Sequence, residues 1–401
     1  MARGDRVNWL TADLPGTDGI YKEQPEDFQV EELPLYPCSG RGEHLYLWIE
    51  KTGITTRELL SQIGKGLRLK EREIGYAGLK DARARTRQMI SIPARCADRV
   101  AALQLRKAQI LRQELHGNKL RLGHLAGNRF TIRLRNTHRD AAQRAEAILQ
   151  QLQERGTPNR FGEQRYGVLG NSARLGLLFL QGNYEDFCPE FLGDPALIRN
   201  TDWQAAAAAY HAGDLAACFD KLPRRMRDER RLVRCLLEGK SHQVAVKSLP
   251  RNLLRLYLSA SQSQLFDQLL EQRLPNLQQL YDGDIAVKHA NGACFRVTSA
   301  EDEQSRADSF EISPSAPLFG HKVMLACGQP GKSEERILQN TGLSLTSWKQ
   351  ELGLSMPGER RPLRVPLINP KILAATGNEL VLEFTLPKGS YATSVLLELI
   401  K

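Results

Sequence analysis

One carboxylate in this sequence stands in a setting that suits chemistry. Asp81 lies in Gly75–Pro93 (GYAGLKDARARTRQMISIP), directly after a glycine-rich turn. Nearby cations lower the pKa of a carboxyl group and hold it ionised, and an ionised, well-positioned aspartate can act as a nucleophile or a general base. The alternative is a turn aspartate that pairs with its neighbours, and Asp81 taken alone favours that structural role. The cations flanking it are Lys80, Arg83, Arg85 and Arg87.

The positive charge of the chain is concentrated around this aspartate. Lys65–Arg135 contains 18 Lys and Arg against 5 Asp and Glu, a net charge of +13, whereas the other 330 residues carry 38 and 41, a net charge of −3. Basic clustering on a near-neutral body is typical of a protein that binds a polyanion. If the partner is RNA, these arginines would hold phosphates while Asp81 meets a nucleoside turned out of the stack. A solvated basic face would explain the charge equally well.

Aromatic residues near glycine or asparagine offer walls for such a nucleoside. Phe28 lies in Pro25–Glu32 (PEDFQVEE), Phe130 follows Asn128 in GNRF, and Tyr391 lies in LPKGSYATS. An extruded base needs aromatic rings for stacking and an amide or similar group for its polar edge. Each residue alone is better explained as part of a core, but together they form the set that a uridine pocket requires.

Hydrophobic periodicity predicts the elements that must position these residues. We expect one strand over His44–Glu50, one through Phe130–Arg135 with a basic face, and one over Leu380–Leu386. The predicted helices are Thr55–Leu69, capped by Thr55 or Thr56, Asp140–Gln153, Ser259–Leu274 and a short one within Ser390–Ile400.

The middle of the chain differs in character from its two ends. Residues 172–275 are predicted to be largely helical and contain a second basic cluster, Arg224–Arg234. Residues 283–327 are predicted to mix short strands and turns, and β patterning returns from Arg360. A β-rich start and finish around a helical middle predicts a split core domain with an insertion.

Composition narrows the class of protein. The chain has 401 residues, of which 41% are hydrophobic and 25% charged, as in globular proteins, which excludes a disordered chain, a collagen and a coiled coil. No apolar run approaches the roughly 18 residues of a membrane span, and the N-terminus has no apolar signal segment. The seven cysteines are scattered without a CxxC pair, so we expect a reducing, cytoplasmic compartment with neither disulfides nor structural zinc.

One motif competes with this interpretation. Ala326–Ser333 (ACGQPGKS) fits a relaxed phosphate-loop pattern, with apolar Val323–Leu325 before it and a predicted helix over Glu334–Gln339 after it. Its first glycine is replaced by alanine, and an ordinary turn has the same composition. The histidines form no HxxxH pair, and no dinucleotide-binding GxGxxG follows a strand. We therefore expect no metal and no nucleotide cofactor.

The chain closely resembles the TruD family of tRNA pseudouridine synthases. The similarity extends in family order from near the first residue to the last, and GLKD with TRQ and PNRFGEQRYG are its most specific motifs. The matching segments are Lys22–Glu32, Gly42–Thr56, Gly75–Gln88, Lys119–Arg135, Pro158–Gly167, Tyr257–Phe266 and Leu386–Leu399.

The resemblance implies an isomerase, of the intramolecular transferase class, that converts a uridine of tRNA to pseudouridine, with position 13 the usual target and no cofactor. Asp81 is then the catalytic aspartate, which adds to C1′ of the ribose or to C6 of the base. Lys22 matches a basic residue near that carboxylate. Phe28, Asn128, Phe130 and Tyr391 are expected to line the pocket. Contacts to the RNA backbone are expected from Lys80, Arg83, Arg85, Arg87 and Arg165.

The implied fold is α+β. A catalytic domain with a mixed, mostly antiparallel sheet (residues 1–156 and 357–401) is interrupted by an inserted α/β TRUD domain (residues 157–356). Tyr184–Pro250 is longer and more helical than in short bacterial members, and its cluster Arg224–Arg234 either extends the RNA contact or decorates a helical face. We expect a monomer, because one tRNA can span both domains. Two other hypotheses are an RNA-binding factor without catalysis and a nucleotide-driven RNA enzyme that uses Lys332.

Overall fold

The computed structural model describes residues 8–401, apart from the side chain of Glu163. The chain divides into two compact units. Trp9–Thr157 and Val365–Lys401 form one, here called the sheet unit; Pro158–Arg364 belongs to the other, here called the helical unit. The sequence predicts an inserted domain with boundaries at 157 and 356. The identity of the sheet unit as the catalytic domain and of the helical unit as the inserted domain stays a prediction. No helix among the described residues is long and apolar enough to cross a membrane.

The strands of the described chain are numbered in chain order. They are β1 (Phe28–Pro34), β2 (His44–Thr52), β3 (Gly75–Tyr76), β4 (Arg85–Pro93), β5 (Ala108–His116), β6 (Leu125–Arg135), β7 (Thr157–Pro158), β8 (Ile285–Lys288), β9 (Cys294–Arg296), β10 (Ile312–Leu318), β11 (Glu359–Pro362), β12 (Arg364–Val365), β13 (Ile368–Thr376) and β14 (Glu379–Pro387).

The α-helices are numbered in the same way. They are α1 (Thr56–Leu67), α2 (Ala97–Val100), α3 (Ala141–Arg155), α4 (Ser172–Gln181), α5 (Tyr184–Leu192), α6 (Thr201–His211), α7 (Leu215–Lys221), α8 (Arg227–Leu237), α9 (His242–Lys247), α10 (Arg251–Arg273), α11 (Ala300–Asp308), α12 (Gly328–Asn340) and α13 (Ala392–Ile400).

The sheet unit is built on one large sheet. Its strand order is β13-β14-β6-β1-β4-β2-β5, with β3 paired to β4. β1 and β4 run parallel, and the other strand pairs described in this sheet are antiparallel. The predicted fold class, α+β with a mixed, mostly antiparallel sheet, is therefore confirmed.

Helix α1 begins where the sequence predicts it. The Thr55 hydroxyl accepts a hydrogen bond from the Glu58 amide, and the Glu58 carboxylate accepts one from the Thr55 amide. This capping box satisfies two of the donors that a helix start leaves open. The buried face of α1, with Leu59 and Ile63, joins a core cluster with strands β2 and β4. The cap thus fixes where α1 starts and where Thr56, its first residue, lies.

Strand register puts the predicted pocket residues on one sheet face. Phe130 pairs with Val30, and Asn128 pairs with Glu32 across β6 and β1. Side chains of a strand alternate between faces, and paired residues share a face. Phe28 therefore lies on the same face as Glu32, Asn128 and Phe130.

The helical unit combines helices with a smaller sheet of order β11-β10-β8-β9. The long helix α10 packs against α4. Gly176 on α4 permits close contact, because a Cβ there would meet the backbone of Tyr257 on α10. The predicted helical character of residues 172–275 is confirmed by α4 to α10.

Two details of this unit differ from what the sequence predicts. Residues 283–327 contain helix α11, which the sequence analysis missed because only Ala307 in it is buried and apolar periodicity is absent. Val323–Leu325 is not a strand, and α12 begins at Gly328, six residues before the predicted start. The glycines of the phosphate-loop pattern therefore belong to a helix and not to a loop between strand and helix, which is the context that motif requires.

The variant Gly127→Ala tests how closely strand β6 approaches strand β14. A Cβ at Gly127 would meet the Leu386 carbonyl on β14, so Gly127→Ala must displace backbone next to Asn128. We expect a loss of about 1–3 kcal/mol in the free energy of unfolding, measured as a lower thermal midpoint. Gly117→Ala is the matched control, because its Cβ would enter open space. Equal midpoints for the two variants would contradict the close approach.

Candidate active site

The loop that carries Asp81 is held from beneath by a buried lysine. The Nζ of Lys51, on β2, donates to the carbonyl oxygen of Asp81 at 2.8 Å and to that of Ile54 at 2.7 Å. Lys51 is only 1% exposed. Burial disfavours its charged form and lowers the pKa of Lys51 to about 8, although the Asp81 charge opposes this shift. The lysine thus fixes the backbone position of Asp81 through two carbonyls.

A second lysine ties the same loop to the sheet. The Lys80 ammonium lies 2.8 Å from Glu32 Oε2, and both side chains are almost fully buried. The Lys80 amide donates to Thr56 Oγ1 at 2.9 Å, and that hydroxyl donates to Gln88 Oε1 at 3.0 Å. The loop is therefore anchored to β1, α1 and β4 immediately before Asp81.

The Asp81 carboxylate accepts two hydrogen bonds. Lys22 Nζ lies 2.5 Å from Oδ2, and the Arg83 amide donates to Oδ1 at 2.9 Å. Partial burial raises the pKa of Asp81, but the hydrogen bonds from Lys22 and Arg83 and the charges of Lys22 and Lys51 outweigh it and bring the pKa below its ordinary value. The side chain is 28% exposed. Asp81 is thus an ionised carboxylate that solvent or a ligand can reach.

Lys22 is held in an unusual backbone conformation. Its backbone φ of 63° lies in the left-handed region, which residues other than glycine seldom adopt. The following turn is closed by Asp27, whose carboxylate accepts from the Gln24 amide at 3.0 Å and pairs with Arg135 at 2.8 Å. This turn brings the Lys22 ammonium to 4.2 Å from the centroid of the Phe28 ring. Lys22 therefore contacts both the carboxylate and the aromatic wall.

The aromatic wall and the amide adjoin one another on the sheet face. The Phe28 and Phe130 rings meet edge to face at 6.1 Å between centroids, and Phe130 lies 5.6 Å from Phe384. The Asn128 Oδ1 atom is buried, and none of the described residues donates a hydrogen bond to it. Buried polar atoms of native proteins almost always have a partner, so this oxygen is a candidate acceptor for a ligand N–H.

Comparisons with known proteins assign the chain. The family model described as tRNA pseudouridine synthase D (TruD) matches residues 6–399. The chain belongs to the TruD family. It is 54% identical over 395 residues to a tRNA pseudouridine synthase D of Syntrophotalea carbinolica (98% of this chain, 99% of that protein), and 38% identical over 405 residues to one of Thermus thermophilus (100% and 93%).

A solved structure agrees with the fold of this TruD family member. A crystal structure from Methanosarcina mazei, assigned as a tRNA pseudouridine synthase D, is similar with a TM-score of 0.84 and 26% sequence identity. The similarity covers 98% of this chain and 96% of that one. The resemblance recognised from the sequence motifs is thus confirmed.

The structure brings Lys22, Phe28 and Asp81 into direct contact through Lys22, with Phe130 against Phe28. Tyr391 lies further along the chain, at the residue before α13, and the residue is 37% exposed. Their roles toward a substrate stay predictions.

Two of the cations expected to contact an RNA backbone, Arg85 and Arg87, lie on the sheet face that does not carry the candidate pocket residues. Arg85 pairs with Gln29 and Arg87 with Glu31, so both lie on the sheet face opposite Phe28. Each is 2.8 Å from a Glu50 oxygen.

The remaining expected cations differ in exposure. Lys80 is buried against Glu32, which disfavours a contact with phosphate, whereas Arg83 is exposed. Arg165 belongs to the helical unit, where its guanidinium lies 5.0 Å from the Phe161 ring centroid. The backbone contacts proposed for these residues stay predictions.

Sequence reasoning missed Lys51 and Glu32 as parts of the site. A signal was present in each strand, because alternation places Lys51 on the face of buried Leu47 and Ile49, and Glu32 on that of Phe28. A charged residue at a position that the pattern marks as buried needs a partner inside the protein. Among the described residues, no group of three or more His, Cys, Asp or Glu could hold a metal ion.

The ion pair between Lys22 and Asp81 predicts a measurable titration. In Lys22→Met the pKa of Asp81 should rise, because burial then acts against fewer cationic partners. Carboxyl NMR titration would measure it, with Asp81→Asn identifying the signal. A lowered native pKa adds stability above the ordinary pKa of 3.8 and loses it as pH falls through the native value. Lys22→Met should therefore be less sensitive to acid in this range.

Arg83→Ala is the matched control for this titration. Arg83 contributes to the low pKa of Asp81 through its backbone amide, which alanine retains. The Asp81 titration should stay close to that of the unsubstituted protein. A pKa that rises equally in both variants would show that general surface charge, and not the Lys22 contact, sets the value.

Proposed function

We propose that this chain is a tRNA pseudouridine synthase that isomerises uridine at position 13, with Asp81 as the nucleophile. The observation that carries the proposal is the ionised Asp81 carboxylate, fixed by Lys22 and Lys51 beside the pocket wall. Membership of the TruD family supports the reaction and the tRNA substrate. Its expected setting is the cytoplasm and its expected state the monomer, and both stay predictions.

The reaction is an isomerisation, so every atom of the uridine is retained apart from exchange of one proton with solvent. The N1–C1′ glycosidic bond breaks, the uracil turns within the pocket, and C5 bonds to C1′. C5 loses its proton, and N1 gains one. No electrons are transferred to or from the nucleoside, so the balance requires neither an oxidant nor a group donor.

Asp81 takes part through its ionised carboxylate. It adds either to C1′ of the ribose, as the uracil leaves, or to C6 of the base, and in both routes the bond to Asp81 breaks again before product is released. The Lys22 ammonium keeps the carboxylate ionised, and the carbonyl anchor from Lys51 keeps it in place. Asp81 and the base must meet with atoms about 3–3.5 Å apart for this step.

The pocket residues hold the base through shape and polar contacts. Phe28 and Phe130 are 5% and 6% exposed, so they form a floor and not an open stacking platform. Tyr391, which is more exposed, supplies an accessible ring. The Asn128 amide suits the uracil edge, because its oxygen accepts from N3–H and its nitrogen donates to a uracil carbonyl.

The central test is Asp81→Asn, which keeps the size of the side chain and removes its charge. We expect pseudouridine formation to be abolished, because a neutral amide is a poor nucleophile, while tRNA binding is largely retained. Tritium release from tRNA with 5-tritiated uridine measures turnover, and a filter-binding assay measures affinity. Full turnover in Asp81→Asn would refute the assignment. Tritium release by the unsubstituted protein without ATP would exclude both the non-catalytic hypothesis and the nucleotide-driven one.

Lys51→Met tests the anchor beneath Asp81. Methionine matches the length of lysine but donates no hydrogen bond, so the Asp81 carbonyl loses its fixed partner. Small misplacements of reacting groups cost up to about 100-fold in rate, and we expect kcat to fall at least tenfold with little change in KM. Single-turnover tritium release measures kcat for the chemical step.

The control for this variant is Lys65→Met, an exposed lysine on α1, which should leave kcat unchanged. A role that is specific to charge also predicts a pH effect. Lys51 loses its proton as pH rises through about 8, so a decline of kcat there should be present in the unsubstituted protein and absent in Lys51→Met. A KM change without a kcat change would contradict the anchoring role.

A further inference from the structure

A group of exposed arginines stands at the turn between α7 and α8 of the helical unit. Arg224, Arg225 and Arg227 are all exposed, as is Lys221 at the end of α7. Among the described residues, no acidic side chain lies within ion-pair distance of any of these four cations. They therefore present uncompensated positive charge to solvent.

The neighbouring arginines of the same cluster have structural roles instead. The Arg230 guanidinium donates to the carbonyls of Phe219 and Leu222 at 2.7 and 2.8 Å and lies 4.1 Å from the Phe219 ring centroid. Arg231 donates to the Ser248 carbonyl at 3.1 Å. The basic cluster thus contains two groups: Arg230 and Arg231, which hydrogen-bond to backbone carbonyls of neighbouring segments, and the exposed arginines Arg224, Arg225 and Arg227.

The exposed arginines Arg224, Arg225 and Arg227 are not needed to form the turn between α7 and α8. The turn is closed by hydrogen bonds from the Met226 amide to the Pro223 carbonyl at 2.9 Å and from the Arg227 amide to the Arg225 carbonyl at 3.0 Å. Like charges are therefore held close together, which raises the electrostatic free energy of the folded chain. Arg227 is also the first residue of α8, where the helix dipole disfavours a cation, although Asp228 and Glu229 in the same turn offset part of this cost. An anionic partner would reverse both costs.

We infer that Arg224, Arg225 and Arg227 form a second RNA-binding surface that contacts phosphates of the substrate RNA. RNA is the partner that the charge favours, because arginine forks pair bidentately with phosphate. Such contacts add affinity without reading sequence. The inference rests on the proposed function for the identity of the RNA, and it resolves the two interpretations of Arg224–Arg234 in favour of an RNA contact for this part of the cluster.

The test compares binding of a full-length, unmodified tRNA transcript across salt concentrations. The variant combines Arg224→Ala, Arg225→Ala and Arg227→Ala. The plot of log K against log salt has a negative slope, and each phosphate contact that is removed should reduce the magnitude of that slope by about one. For the triple variant we expect the magnitude of this slope to fall by about two to three. We also expect tRNA to bind with a roughly tenfold higher Kd at low salt. The kcat at saturating tRNA should be unchanged.

The control is a triple variant of exposed cations on other elements of the same unit. Lys332→Ala, Arg336→Ala and Lys349→Ala remove the same charge from α12 and the segment after it. This control should leave the salt slope near that of the unsubstituted protein. Equal slopes for both triple variants would overturn the inference, as would unchanged tRNA affinity, which would leave an acidic protein as the partner of this surface.

Two further measurements keep the outcome clear. Replacing the three arginines by lysine retains the charge, so most of the salt slope should return, and a lysine variant as weak as the alanine one would refute phosphate binding. Binding is measured apart from turnover. If the unsubstituted protein binds tRNA through these arginines but forms no pseudouridine, the proposed function fails and the binding surface stands.

Discussion

The geometry of the site depends on two lysine ammonium groups that are removed from water. A buried cation is costly unless it is paired or hydrogen-bonded. Lys80 meets this need with Glu32, and Lys51 meets it with the carbonyls of Ile54 and Asp81. Because Lys80 and the Asp81 carbonyl belong to the loop, while Glu32 and Lys51 belong to β1 and β2, satisfying the two cations also fixes the loop. The direction of the Asp81 carboxylate is thus a consequence of how buried charge is accommodated.

Strand register separates two kinds of surface on one sheet. One face carries the candidate pocket residues Phe28 and Phe130, and the opposite face carries Arg85 and Arg87 with Glu50. A slip of one residue would exchange the faces. The opposite face is also largely neutralised, because acids outside the basic segment pair with its arginines. The local charge of +13 in the sequence therefore overstates the positive charge that this face offers to RNA.

Periodicity predicted most elements, and motif resemblance predicted Asp81 with Lys22. Helix α1 starts one residue after its predicted start and ends two residues before its predicted end, and strand β14 is one residue longer at each end, because their apolar spacing is regular. Helix α11 was missed because its polar sequence gives no such spacing. Lys51 was missed for another reason: its partners are backbone carbonyls of a loop, and no pattern of side chains encodes which carbonyls a fold brings near a strand.

Under the proposed function, most of the cations around the fixed Asp81 loop would add little to the affinity for RNA. Lys80 is buried and Arg85 and Arg87 are paired with Glu50, so each would lose an existing partner on binding phosphate, and the net gain would be small. An exposed cation without a partner has no such loss. Among the described residues no acidic side chain pairs with exposed Arg83, beside Asp81, or with exposed Arg224 and Arg225 in the helical unit. Charge that is poorly compensated in the free protein is therefore a better guide to the RNA contact than charge that is merely abundant.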